Sequence, residues 1–216
     1  MKILSMKNKL SMALVAVALI GLVGLEGCTK HDSPDAEALG TALHAYLAKR
    51  GDLCLAKNSW PIDLTQREID SGARNALQLP VLERLGLAHS DVAEVDVDDE
   101  GTLHHMKVRR YALTDAGRKF YITRGTAGGA HGGDFCAAHL SLDRIVGWEL
   151  HGSGAQRQAV VTYTYRVDAA PWTNDAEVQK VFPVVAGVIR GAGTAQLQET
   201  FAHGDAGWIA VDLQGT

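Results

Sequence analysis

Ala159-Val160-Val161-Thr162-Tyr163-Thr164-Tyr165-Arg166-Val167 is the stretch on which the reading of the fold turns. Ala159, Val161, Tyr163, Tyr165 and Val167 occupy alternate positions, and a period of two puts them on one face of a strand. Upstream, Val146, Trp148 and Leu150 alternate in the same way, and 151–154 reads as the turn that returns the chain antiparallel. Downstream, Asn174 and Glu177 stand at capping-box spacing ahead of Val178, Val181, Phe182, Val185 and Ile189, an apolar stripe at helical period. Pro183 should kink that helix and Gly191 should end it. Residues 197–201 and 208–213 flank a turn at 203–207 and predict a last hairpin. The order strand, strand, helix, strand, strand predicts, for residues 134–216, a small antiparallel sheet with one helix across it.

Residues 125–133 hold five glycines and read as a flexible linker. In the region before it, 35–124, Ser33-Pro34-Asp35 has the residues of a helix start, and Leu39, Ala42, Leu43, Tyr46 and Leu47 recur at helical spacing up to Gly51. Thr65 and Glu68 form a second capping-box pair. Pro80, Val81, Leu82 and Leu85 mark a third helix ending at Gly86. Val95 and Val97 alternate with acids, 98–101 reads as a turn, and 103–113 as a returning strand. The segment Tyr111-Ala112-Leu113-Thr114-Asp115-Ala116-Gly117-Arg118 resembles the end of the wing in winged-helix domains. That resemblance implies a winged-helix-like region over about 35–123 and carries no DNA-binding role with it. The expected class is therefore α+β, a winged-helix-like N-terminal region followed by the small sheet.

The first 27 residues differ from all of this. Lys2, Lys7 and Lys9 precede an uncharged apolar run from 10 to 25, the pattern of a secretory signal and too short for a comfortable membrane span. The run ends in Leu25-Glu26-Gly27-Cys28, which resembles the lipobox of bacterial lipoproteins, with Glu26 where a small residue is usual. The resemblance implies cleavage before Cys28 and lipidation of Cys28, with 28–34 as a tether. Thr29, in place of an aspartate, implies the outer membrane. Without residues 1–27 the chain has 18 basic and 24 acidic residues, a net charge of −6. Such a surface repels phosphate backbones, so no nucleic-acid partner is expected.

Cys54 and Cys136 remain as an even pair in a chain bound for an oxidising compartment, and a disulfide is the natural reading, with two buried free thiols as the alternative. The templates for other chemistry break at residues they need. Asp96-x-Asp98-x-Glu100-Gly101 begins like a calcium loop, but Lys107 stands at its twelfth position. Gly152-Ser153-Gly154 lacks the spacing of a nucleophile elbow. His104 and His105 should point to opposite faces of a strand, and His131, His139, His151 and His203 share no linear motif. No catalytic residue, metal site or cofactor is assigned. The expected function is that of a membrane-tethered interaction or structural protein of the envelope, held by its lipid anchor and working on an envelope protein partner. Two alternatives stand beside it: a periplasmic hydrolase, and a small-ligand or inhibitor module on the concave face of the second sheet.

Overall fold

The computed structural model describes residues 36–99, 102–125 and 131–214. Pro34–Thr216 is one compact unit, distinct from Met1–Ser33. The helix expected after residue 33 is α1 (Ala36–Arg50), and it buries Leu39, Ala42, Leu43 and Leu47, the predicted stripe. Gly51 follows it with good reason, since a Cβ there would lie 2.4 Å from the Leu140 carbonyl oxygen. The chain continues through β1 (Asp52–Cys54) and β2 (Ile62–Thr65) to α2 (Gln66–Asp70) and α3 (Arg74–Arg84). Thr65 caps α2 as its spacing predicts: its hydroxyl accepts from the Glu68 N–H at 3.2 Å, and its own N–H donates to the Glu68 carboxylate at 2.8 Å.

The hairpin β3 (Ala88–Asp99) and β4 (Thr102–Leu113) joins β2 in a three-stranded antiparallel sheet of order β2-β4-β3. Thr114 then caps the single turn α4 (Asp115–Arg118), and β5 (Tyr121–Gly125) follows. Next come β6 (His131–His151) and β7 (Gln158–Ala169). Asp175, one residue after the predicted cap, accepts from the N–H groups of Glu177 and Val178 and opens α5 (Ala176–Val181). The kink expected at Pro183 is a full break: Phe182 leaves helical geometry, and α6 (Pro183–Arg190) restarts with the proline in its first turn. The chain ends in β8 (Gln196–Gly204) and β9 (Gly207–Ala210).

The architecture corrects the expected α+β arrangement of a winged-helix-like region followed by a small sheet with one helix. The second half is built on a large curled antiparallel sheet of order β1-β6-β7-β8-β9, with β5 also paired to β6. Part of that sheet comes from the first half, because β1 pairs with β6 through Asp52↔His139 and Cys54↔Cys136. The helix that should open the winged-helix region belongs to this sheet as well: Leu39, Leu43 and Leu47 share a core with Ala159, Val161, Tyr163 and Phe201. The other core is also shared by the two halves. Leu64, Leu79, Leu82 and Tyr111 pack with Phe135, Trp172 and Phe182. The expected run of three helices before the hairpin is interrupted by β1 and β2, and the partners that bury these elements are non-local.

Of the stretch read as a linker, Gly125, His131, Gly132 and Gly133 are instead paired strand residues of β5 and β6, and 126–130 lie outside the described residues. The length of β6 escapes sequence reading for a physical reason. Its ladder to β7 shifts register between Leu142 and Arg144 and again between Ile145 and Gly147. Each bulge inserts a residue and moves the apolar positions to the other parity, which erases a period-two pattern.

Candidate functional site

The best-defined polar constellation crosses three strands. Pairing of β1 with β6 sets Asp52 opposite His139, and pairing of β6 with β7 sets Asp168 opposite the same histidine. Directly opposed residues share a face, so the three form a row. His139 Nδ1 lies 2.7 Å from Asp52 Oδ1. The Asp52 side chain is 16% exposed and that of His139 42%, so the carboxylate is sheltered and the imidazole reaches solvent. A carboxylate at Nδ1 favours the tautomer with the proton on that nitrogen and leaves Nε2 as the basic atom.

Two adjoining cavities of about 310 and 450 Å³ flank this row and share Asp52, Ile122 and Cys136 in their walls. Lys119 and Phe120 close the first, while Asn58 and Asp134 line the second. The Cys54 and Cys136 sulfurs, 1.99 Å apart, stand between them as the disulfide read from the even cysteine count. Among the described residues, neither wall offers a hydroxyl or a free thiol. The row can therefore take or give a proton, and a nucleophile here would be water, part of a ligand, or the Lys119 amine in the first cavity's wall.

Among the histidines whose side chains are described, none of the others joins this row; His131 lies on β6 without a described side chain. His44 is exposed on α1. His105 contacts Asp96 across the β3–β4 hairpin. His151 lies 3.8 Å from Glu149, and His203 stacks edge-on against Trp208, both near the end of the large sheet remote from His139. The calcium-like stretch runs along paired strands, where Lys107 faces Glu94; Glu100 and Gly101 lie outside the described residues. Gly152-Ser153-Gly154 is a turn in which both glycines have positive φ, +72° and +58°. Among the described residues no cluster of three or more His, Cys, Asp or Glu side chains is arranged to hold a metal. Cys28 and His104 cannot be placed: the first lies outside the described residues, and the second has no described side chain.

Sequence reading missed a second group, centred on Lys57. This lysine is only 3% exposed, and its Nζ donates to Asn75 Oδ1 at 2.7 Å and Gln78 Oε1 at 2.9 Å. Gln78 in turn donates to the Val181 carbonyl at 2.8 Å, tying α3 to α5. Burial, aided by the nearby Arg74, pushes the ammonium down to about 8. The folded state thus holds the charge at a cost that is fully present below pH 8. Between about pH 8 and 10 the unfolded chain binds more protons, so this group makes stability rise with pH. Above about pH 10 burial of Tyr163, pushed up to about 12, acts in the opposite direction. In denaturant titrations of the wild type and Lys57→Met, we expect the wild type to gain about 1–2 kcal/mol relative to the variant from pH 7.5 to pH 9.5. Parallel pH profiles would contradict a buried, charged Lys57.

No protein-family model, curated protein or solved structure matches the chain.

Proposed function

We propose that the protein is a lipid-anchored lipoprotein of the bacterial envelope, acting as a tethered binding protein on an envelope protein partner. The observation that carries this reading is the placement of Leu25-Glu26-Gly27-Cys28: it closes a charged and then apolar leader, and the compact unit begins six residues later, at Pro34. No helix among the described residues is long and apolar enough to cross a membrane. Acyl chains on Cys28, at about 0.8 kcal/mol for each buried methylene, would hold the unit at a bilayer. A tether also raises the effective concentration of that unit toward partners on the same surface. The cleft around Asp52 and His139 is then presented close to the membrane rather than free in solution. Cys28→Ser should shift the protein from the membrane to the soluble fraction or leave a longer precursor. Retention of the variant at wild-type mobility would contradict the anchor.

The Asp52–His139 pair favours a second reading, hydrolysis by water that His139 Nε2 deprotonates. In that case His139→Gln lowers turnover by about 10²–10⁴-fold on a cleaved ester or amide, with folding and membrane attachment unchanged. Turnover that survives this substitution, or its absence from the wild type across an ester and amide panel, removes the hydrolase reading.

A further inference from the structure

We propose that the groove between the Leu53–Ala56 segment and the break at Phe182 binds a single-chain anionic amphiphile, a long-chain carboxylate, with its head on Arg74. The groove is a cavity of about 460 Å³, in the range of small-molecule sites. Leu53 and Leu55 form one wall, and Phe182, Pro183, Val184 and Val185 the other. The break between α5 and α6 shapes that second wall, because Phe182 leaves the helix and Val184 is left 73% exposed beside it.

One end of the groove carries an exposed arginine, Arg74. An adjoining cavity of about 290 Å³ shares Leu55, Ala56 and Arg74 with it and is lined further by Lys57 and Asn75. Arg74 makes no ion pair among the described residues. Glu68 lines the same adjoining cavity and keeps its charge, with its carboxylate held by the N–H and the hydroxyl of Thr65, each at 2.8 Å. Asp134 receives the backbone N–H groups of Ala56, Lys57 and Phe135 at 3.1, 2.7 and 2.7 Å. Lys57 itself is buried against neutral amides. The mouth thus holds an exposed guanidinium above a buried ammonium, next to an aliphatic slot. At the same place Ala56 has φ +55°, a left-handed conformation unusual for a residue other than glycine. Backbone held in such a region tends to mark places where geometry is fixed for a ligand. The unpaired guanidinium of Arg74 offers its donors to a carboxylate head, the aliphatic walls select a chain, and one cavity of this size suits one chain rather than two.

This site does not depend on the lipid anchor, so its test leaves the anchor untouched. Pro34–Thr216 carries both hydrophobic cores, and this fragment is suited to isothermal titration with octanoate, decanoate and dodecanoate below their micelle concentrations. Affinity should rise by up to about fourfold per added methylene, the gain expected from burying each one. Dodecyltrimethylammonium should bind at least about tenfold more weakly than dodecanoate. Arg74→Gln should weaken dodecanoate about tenfold and leave dodecanol unchanged, while Val184→Asp should weaken both. Circular dichroism checks the fold of each variant; if Val184→Asp does not fold, the ligand series and the exposed Arg74 decide alone. Absence of saturable binding, equal affinity for the cationic amphiphile, or indifference to Arg74→Gln overturns the proposal. So does tighter binding of phosphatidylglycerol vesicles than of dodecanoate, which would make the site a membrane contact.

Discussion

A chain carrying Cys54→Ser and Cys136→Ser should lose about 4 kcal/mol of unfolding free energy relative to the oxidised protein, the chain-entropy value for releasing a closed loop with a sequence separation of 82. The structure says where the loss would be felt. β1 is three residues long and is held in the sheet by β6 alone. It carries Asp52 to His139, and it leads into the Leu53–Ala56 wall of the groove. Releasing the crosslink should therefore loosen the cleft before the rest of the sheet. Guanidinium titrations of the two proteins under non-reducing conditions test the magnitude through the midpoint. Hydrogen exchange of the Leu53 and Leu55 amides tests the location. A loss below about 1 kcal/mol with unchanged exchange at these amides would show that β1 is held by its packing and not by the crosslink.

Gly117→Ala should cost about 3 kcal/mol or more, although it adds one methyl group. A Cβ at this buried position would lie 1.9 Å from the Leu87 carbonyl oxygen and 3.1 Å from Leu113 Cδ2. The obstacle is backbone, and it is fixed, since the same carbonyl accepts the Thr114 N–H at 3.2 Å. Neither a rotamer change nor a small side-chain shift relieves such a clash, which places it at the severe end of overpacking. Gly187→Ala provides the comparison. Gly187 lies inside α6, and a methyl group added to it would meet nothing within 4 Å, so alanine there should stabilise by about 0.5–1 kcal/mol through helix propensity. Thermal unfolding of both variants beside the wild type checks the pair. Equal melting temperatures for Gly117→Ala and wild type would contradict the close approach of Leu87.

Gly117 also shows what was and was not legible in the sequence. Its neighbourhood, Tyr111 to Arg118, resembles a wing terminus in sequence; the structure ends a strand at Leu113 and caps a turn with Thr114 there, inside a different fold. What the resemblance does not carry is the company these elements keep. The α1 stripe, the Thr65–Glu68 box and the alternation of β7 were readable because each is a short-range periodicity or a contact between residues three apart. β1 was not, since three residues after a glycine have no period and owe their strand geometry to β6, more than eighty residues on. The first half of β6 was hidden by the small residues Gly132, Gly133, Ala137 and Ala138, and its continuity with the second half by the bulges between Leu142 and Gly147.

The candidate site follows the same rule. Cys54 and Cys136 were legible because an even pair of cysteines behind a stretch that reads as an export leader has few other uses. Asp52 and His139 are 87 residues apart and become a pair only through the β1–β6 register. Lys57 gave no sign at all. A single lysine between Ala56 and Asn58 looks like a solvated loop residue, and its burial depends on Asn75 and Gln78 from α3.

The central claim is that Cys28 anchors the compact unit to a membrane, and the most direct measurement is the intact mass of the protein extracted from envelope membranes, with fragmentation of its N-terminal peptide. The account predicts a chain that lacks residues 1–27 and begins at a Cys28 carrying diacylglycerol on its sulfur. An unmodified Cys28, in a chain of full length or in one cleaved elsewhere, would contradict it.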